Sequence, residues 1–199
     1  MKKFIVATKN KGKIDEIKQI LSDMPFDVMS MEELNIFSDI DEKGSTYEEN
    51  ALIKAREIYG LTGEIVMADD SGLEVDHLGG SPGIYTSRFG GEWASYEFKI
   101  QKLLALLDGV PLEKRTARFV CAIAVVLTKD ISFTVRATCE GYIGFEPQGN
   151  NGFGYDPIFF VKEYNMTTAQ MNPLDKHKIS HRGKALKLMV ERLEDYFAN

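Results

Sequence analysis

The sequence predicts an α/β fold: an elongated mixed β-sheet flanked by helices, arranged as two lobes with a cleft between them. Three observations lead there. Apolar strand-like runs alternate with helical stripes early in the chain, two long β-branched-rich runs adjoin in the middle, and a glycine-rich loop leads into one more short apolar run. Alternating strands and helices build parallel pairs, whereas consecutive strands build antiparallel ones, so the sheet is mixed.

Phe4-Ile5-Val6-Ala7 reads as a buried strand. It breaks into the polar run Thr8-Lys9-Asn10-Lys11-Gly12-Lys13, after which Ile14, Ile17, Ile20 and Leu21 mark a helix. Asp27 to Met31 is a second strand, and Ser38 to Gly44 is an acidic loop. Ser45 to Glu49 holds two overlapping capping boxes that open a helix with Ala51, Leu52, Ala55, Ile58 and Tyr59 on its apolar face. Asn50 and Lys54 lie one turn apart beside that stripe. A further apolar strand ends on Asp69-Asp70-Ser71-Gly72. Tyr96 to Leu107 is an amphipathic helix that stops near Gly109, with Pro111 just beyond. Arg118 to Thr128 and Ile131 to Ile143 form a hairpin through Lys129-Asp130. The glycine-rich loop Gly149 to Asp156 precedes a short strand, Pro157 to Val161. Ser180 caps a last helix whose buried side is Ala185, Leu188, Met189, Leu193 and Phe197.

With 199 residues, 44% of them hydrophobic and 27% charged, the chain has an ordinary globular composition and can bury a sizeable core. A net charge of -6 argues against coating nucleic acid, which requires a basic face to replace condensed counterions. Cys121 and Cys139 both sit in apolar runs, which speaks against a disulfide framework or a multi-cysteine zinc site and fits a reducing, cytoplasmic setting. The longest apolar run, Phe119 to Leu127, falls far short of the ~20 residues of a membrane span. The N-terminal residues do not read as a signal peptide.

Four loops carry residue types suited to chemistry, and each has a plain structural alternative. Asp69-Asp70 offers the oxygen ligands that hard cations such as Mg2+ prefer, with neighbouring carboxylates on opposite sides of a strand; it is equally good turn chemistry. Thr8 to Lys13, between strand and helix, suits a phosphate held by N–H groups, a helix dipole and a lysine; it lacks P-loop spacing and also reads as a solvated turn. Phe153-Gly154-Tyr155-Asp156 offers a ring for stacking and a carboxylate for a donor edge, or aromatics that merely cover the core. Lys176 to Lys184 gathers cations at a helix N-terminus, where they oppose the dipole; an anion would compensate, and a solvated charged face is the alternative.

In this order, ATKNKGK, STYEENALIKA, ADDSGLEVDHLGGSPGIYTSRF, RFVCAIA, GNNGFGYDPIF and KISHRGKAL resemble the signatures of the inosine triphosphate pyrophosphatase family, from residue 4 to about residue 190. The resemblance implies a single pyrophosphatase domain over residues 1–199, with two lobes around an active-site cleft. It implies Mg2+-dependent hydrolysis of ITP, dITP and XTP to the monophosphate and pyrophosphate by a cytoplasmic homodimer, with a purine nucleoside triphosphate as its partner and neither nucleic acid nor membrane. On this pattern Thr8, Asn10 and Lys13 form the triphosphate loop and Lys54 approaches the phosphates. Glu42 and Asp70 bind the metal, Asp70 acts as general base, and Ser71 contacts substrate. The base pocket takes Phe153, Gly154, Tyr155 and Asp156 with Lys176, His181 and Arg182.

Two departures stand out. Leu174-Asp175-Lys176-His177 replaces a common Glu-Glu-Lys-Asn, and Gln170-Met171 replaces Glu-Leu. His177 reads as a peripheral, exposed change; His77 falls in a variable turn, and Arg88 is a phosphate or dimer contact outside the main assignment. Two other functions share the scaffold. A nucleotide sensor without catalysis is opposed by the presence of Lys13, Glu42, Lys54 and Asp70, and a hydrolase of modified pyrimidine triphosphates by the FGYD and SHR motifs.

Overall fold

The computed structural model describes residues 2–38 and 40–198. Strand β1 (Lys2–Val6) leads into helix α1 (Lys11–Ile20), strand β2 (Phe26–Ser30), helix α2 (Tyr47–Thr62) and strand β3 (Ile65–Val75). Then come the short β4 (Pro82–Gly83), helix α3 (Tyr96–Leu106) and the long β5 (Thr116–Val126) and β6 (Ser132–Ile143). Strands β7 (Phe159–Val161) and β8 (Met166–Thr167) precede helices α4 (Pro173–Ile179) and α5 (His181–Ala198).

The strands form one mixed sheet in the order β2-β1-β3-β5-β6-β7-β8, with β4 paired to β3. β1 runs parallel to both β2 and β3, placing Phe4 opposite Val28 and Ile65. β3–β4, β6–β7 and β7–β8 are antiparallel. The predicted hairpin is present, closed by the Leu127 N–H on the Ile131 carbonyl at 2.9 Å. Helices flank this sheet, as the sequence pattern required.

Contacts divide the chain into two compact units: Met1–Asp70 with Cys121–Arg136 and Ala185–Asn199, and Ser71–Val120 with Ala137–Lys184. In the first, Ala51, Ala55 and Ile58 of α2 pack on Ile5, Ala7, Val66, Ala68, Ala124 and Val126. In the second, Ile100, Leu103 and Leu107 pack with Leu73, Val75, Ile143, Ile158 and Phe159. The spacing of these helical residues gives each helix one apolar face, and burial of that face holds it to the strands.

Three expectations change. The Asp69–Gly72 stretch is neither a turn nor a strand end; β3 continues through it to Val75. Its backbone is extended because apolar residues resume at Leu73 and Val75, both fully buried, and draw the strand onward. On α5, Ala185, Met189 and Leu193 are buried as expected, but Leu188 is exposed and Leu186 takes its place. Phe197 is only partly covered, 38% exposed, with its ring edge-on to Phe26 at 5.5 Å. Finally, α4 was not anticipated: Asn172 accepts from the Asp175 N–H at 2.9 Å and Pro173 occupies the first turn, a start signal masked by the basic run that follows.

Cys121 and Cys139 are both buried, and neither is in a disulfide. Among the described residues, no helix is long and apolar enough to cross a membrane.

Arg115 ties the end of α3 to the long strands. Only 3% exposed, it donates to the carbonyls of Val110 at 3.0 Å, Leu107 at 2.6 Å and Gly144 at 2.5 Å. Burial lowers its pKa, yet three carbonyl dipoles, one at a helix C-terminus, favour the cation. Arg115→Met keeps the aliphatic stem and removes every donor, leaving buried carbonyls unsatisfied. The expected loss is about 2–4 kcal/mol of unfolding free energy in urea titrations.

Candidate active site

In the first unit the strand alternation of β3 decides the chemistry. Val66 and Ala68 face α2, so Asp70, two residues on, faces it too, while Asp69 points to the other side of the sheet. There Asp69, 6% exposed, meets the Lys13 ammonium at 2.5 Å. Lys13 is delivered by the first turn of α1, which begins at Lys11 rather than after Lys13 and is capped by the Asn10 side chain on the Lys13 N–H at 3.2 Å. Thr8 supports the same loop, its hydroxyl oxygen accepting the Asn10 N–H at 3.3 Å.

On the α2 side, Asp70 accepts from the Asn50 amide at 3.1 Å. One turn further along the helix, Lys54 pairs with Glu42 at 3.2 Å. Asn50 and Lys54 stand four residues apart, so Asp70 and Glu42 are held along one helix face. The helix starts as its capping signals indicate: Thr46 accepts the Glu49 N–H at 3.1 Å, and Glu49 folds back onto the Ser45 N–H and hydroxyl, both at 2.7 Å. These bonds depress the Glu49 pKa. Among the described residues no group of three or more His, Cys, Asp or Glu side chains is placed to hold a metal. Two carboxylates with a ligand's phosphates and water are nevertheless the usual donor set for Mg2+, and Glu42 and Asp70 fit it.

The second unit gathers the other predicted residues. Ser71 is half-buried in β3. Phe153 is 54% exposed, with Lys176 Nζ 5.4 Å and the Arg182 guanidinium carbon 5.6 Å from its ring centre. His181 stacks on Phe119 at 5.0 Å. Asp156 is turned inward and 3% exposed, its carboxylate accepting from the Phe153 N–H at 2.7 Å, the Thr168 hydroxyl at 2.9 Å and Lys176 at 2.5 Å. Asp156 therefore organises the loop rather than offering a carboxylate to a donor edge. Tyr155 is likewise core, 2% exposed and edge-on to Tyr96 at 5.7 Å. Burial raises its phenol pKa. Its ring is not a contact surface. Gly154 has φ of +66°, a left-handed turn that lets Phe153 project while Tyr155 points in. A concavity of about 460 Å³ lies beside this loop, lined by residues that include Tyr96, Gln101, Asn151, Gly152 and Phe153.

Of the peripheral residues, His177 is half-buried rather than exposed, whereas His77 and Arg88 are exposed. Two residues with a part in these clusters, Asn50 and Thr168, were not among the expected site residues. Asn50 left one signal, its place one turn before Lys54; Thr168 left none, because its partner is 12 residues away in sequence.

The Ham1 family model matches residues 4–192. The chain belongs to the Ham1 family. It is 48% identical over 194 residues to a dITP/XTP pyrophosphatase of Bacillus licheniformis, covering 98% of this chain and 99% of that one. A solved HAM1 protein from Coxiella burnetii superposes with a TM-score of 0.92 at 38% identity, covering 98% of this chain and all of that one. The Staphylococcus aureus Ham1 protein gives 0.91 at 40%, with the same coverage.

Within this Ham1 chain, Gly152 is required by the Asp156 arrangement. Its φ is +77°, and an added Cβ would overlap Asp156 Oδ2 and sit 2.7 Å from Lys176 Nζ. Gly152→Ala should cost about 1–3 kcal/mol in chemical denaturation. Gly60→Ala is the control: this glycine is inside α2 with nothing near its absent side chain, and the substitution should add about 0.5–1 kcal/mol.

Proposed function

We propose that this chain hydrolyses non-standard purine nucleoside triphosphates, dITP, ITP and XTP, to the monophosphate and pyrophosphate, with Mg2+, as a cytoplasmic homodimer. The observation that carries the reading is the placement of Asp70 and Glu42 along one face of α2 in a chain so similar, end to end, to a dITP/XTP pyrophosphatase. The first unit holds the residue types that a triphosphate and its metal require; the second holds those that a purine requires.

Attack of water at the α-phosphorus must overcome about four negative charges and release pyrophosphate. Bound Mg2+ supplies neutralisation of phosphate oxygens, with Glu42 and Asp70 as its protein ligands. Asp70 Oδ takes the proton of the attacking water. Lys13 and Lys54 meet the phosphates through their ammonium groups, with Thr8, Asn10 and Ser71 supplying polar contacts. Pairing with Asp69 and Glu42 holds both lysines in place before any ligand arrives.

Phe153 stacks on the purine, and Gly154 and the backbone of Tyr155 shape the loop beneath it. Lys176 and Asp156 lock that loop. Arg182 and His181 donate to the 6-keto oxygen. Adenine presents an amino donor there, so donors would face each other unsatisfied, a mismatch that hydrogen-bonding sites can turn into about 10^4-fold rejection.

The reaction is tested by incubating pure protein and Mg2+ with ITP, XTP, GTP, ATP and a modified pyrimidine triphosphate, measuring pyrophosphate and orthophosphate separately. Pyrophosphate from ITP and XTP is expected. Orthophosphate with a diphosphate product, tight ITP binding without turnover, or a pyrimidine preference would overturn the reading. Asp70→Asn should lose at least about 100-fold in kcat with the fold retained by circular dichroism. Arg182→Ala should cut the ITP-to-ATP ratio of kcat/KM by about 10-fold or more; an unchanged ratio removes Arg182 from base recognition.

A further inference from the structure

We propose that Asn50 is a positioning residue that sets the spacing of the two metal-binding acids, a role that rests on the reading of Glu42 and Asp70 as metal ligands. Asn50 is 2% exposed, and its amide joins two segments far apart in sequence. Its Oδ1 accepts the Gly44 N–H at 2.8 Å, and its Nδ2 donates to Asp70 Oδ2 at 3.1 Å. The chemistry fixes the amide orientation, because a backbone N–H can only donate and a carboxylate can only accept. A side chain with an oxygen at both ends would oppose Asp70, and an apolar one would satisfy neither segment.

The loop carrying Glu42 is thereby fastened to α2 at two points, Gly44 by Asn50 and Glu42 by Lys54. Gly44 comes so close that a Cβ there would lie 2.7 Å from both Asn50 Oδ1 and Glu49 Cβ. β3 is fastened to the same helix through Asp70. Asn50 takes part in both fastenings, so its two bonds help to set the separation of Glu42 and Asp70. Groups that orient metal ligands in this way are typically worth 10–100-fold in metal affinity.

The test uses the full chain with Mn2+ as the probe, in the presence of a dITP analogue whose α,β bridge cannot be cleaved. Free Mn2+ is counted by electron paramagnetic resonance, and unfolding is followed without metal. Asn50→Leu, and separately Gly44→Ala, which displaces the loop from the other side, should weaken Mn2+ binding by about 10–100-fold. In steady-state assays the apparent Mg2+ requirement should rise by a similar factor, while KM for dITP at saturating Mg2+ stays within about 3-fold. Ile58→Val, a core change in the same helix, should leave Mn2+ binding unchanged although it lowers stability. If Glu42→Gln and Asp70→Asn weaken Mn2+ binding but folded Asn50→Leu and Gly44→Ala do not, the positioning role is wrong. If neither acid variant affects Mn2+, the assignment of the metal ligands itself has failed.

Discussion

The two-residue period of β3 is the constraint from which the rest of the first unit follows. An extended chain sends successive side chains to opposite faces, so two adjacent aspartates cannot serve the same partner. Burial of Val66 and Ala68 against α2 decides which face each takes. Asp70 then has to meet α2 and Asp69 has to find a cation on the other side. A register shift of one residue would exchange the two carboxylates and bury the wrong apolar set, so the core that stabilises the strand also protects the site.

The three lysines expected at the substrate share one arrangement: Lys13 on Asp69, Lys54 on Glu42 and Lys176 on Asp156. A lone lysine in solution samples many rotamers, and ordering it around a phosphate costs entropy at the moment of binding. Pairing in the folded state meets that cost beforehand. Two of the carboxylates are deeply buried, where an isolated ion would be expensive, so each needs a full complement of donors. Asp156 has the Phe153 N–H, the Thr168 hydroxyl and the Lys176 ammonium. These bonds leave Phe153 exposed at the tip of a loop whose base is rigid.

Away from these clusters, polar groups brace the secondary structure. Glu33 accepts from Lys18 and from the Ser30 N–H, which lower its pKa to about 2. Because the folded value is depressed below the ordinary value of 4.5, its contribution to stability is present above that pH and fades as pH falls toward 2. Both side chains are more than a third exposed, so solvent screening keeps this contribution small. Arg115, by contrast, works in the core through carbonyl dipoles.

Local pattern alone was sufficient for most elements: the stripe of α2, its capping residues, the β5–β6 hairpin and the start of α5 depend on neighbours a few positions apart. The ordered motifs likewise pointed to the family without coordinates. Tertiary structure alone decided that β3 runs through Asp69-Asp70, since local turn chemistry loses to buried Leu73 and Val75. It also decided that Asp156 and Tyr155 face inward and Phe153 outward, and that Leu186 rather than Leu188 is buried on α5. The partner of each carboxylate belongs to the same class: Lys13 is 56 residues from Asp69, and Asn50 is 20 from Asp70. Sequence periodicity assigns a side chain to a face, but the group it meets there is set by how distant elements pack.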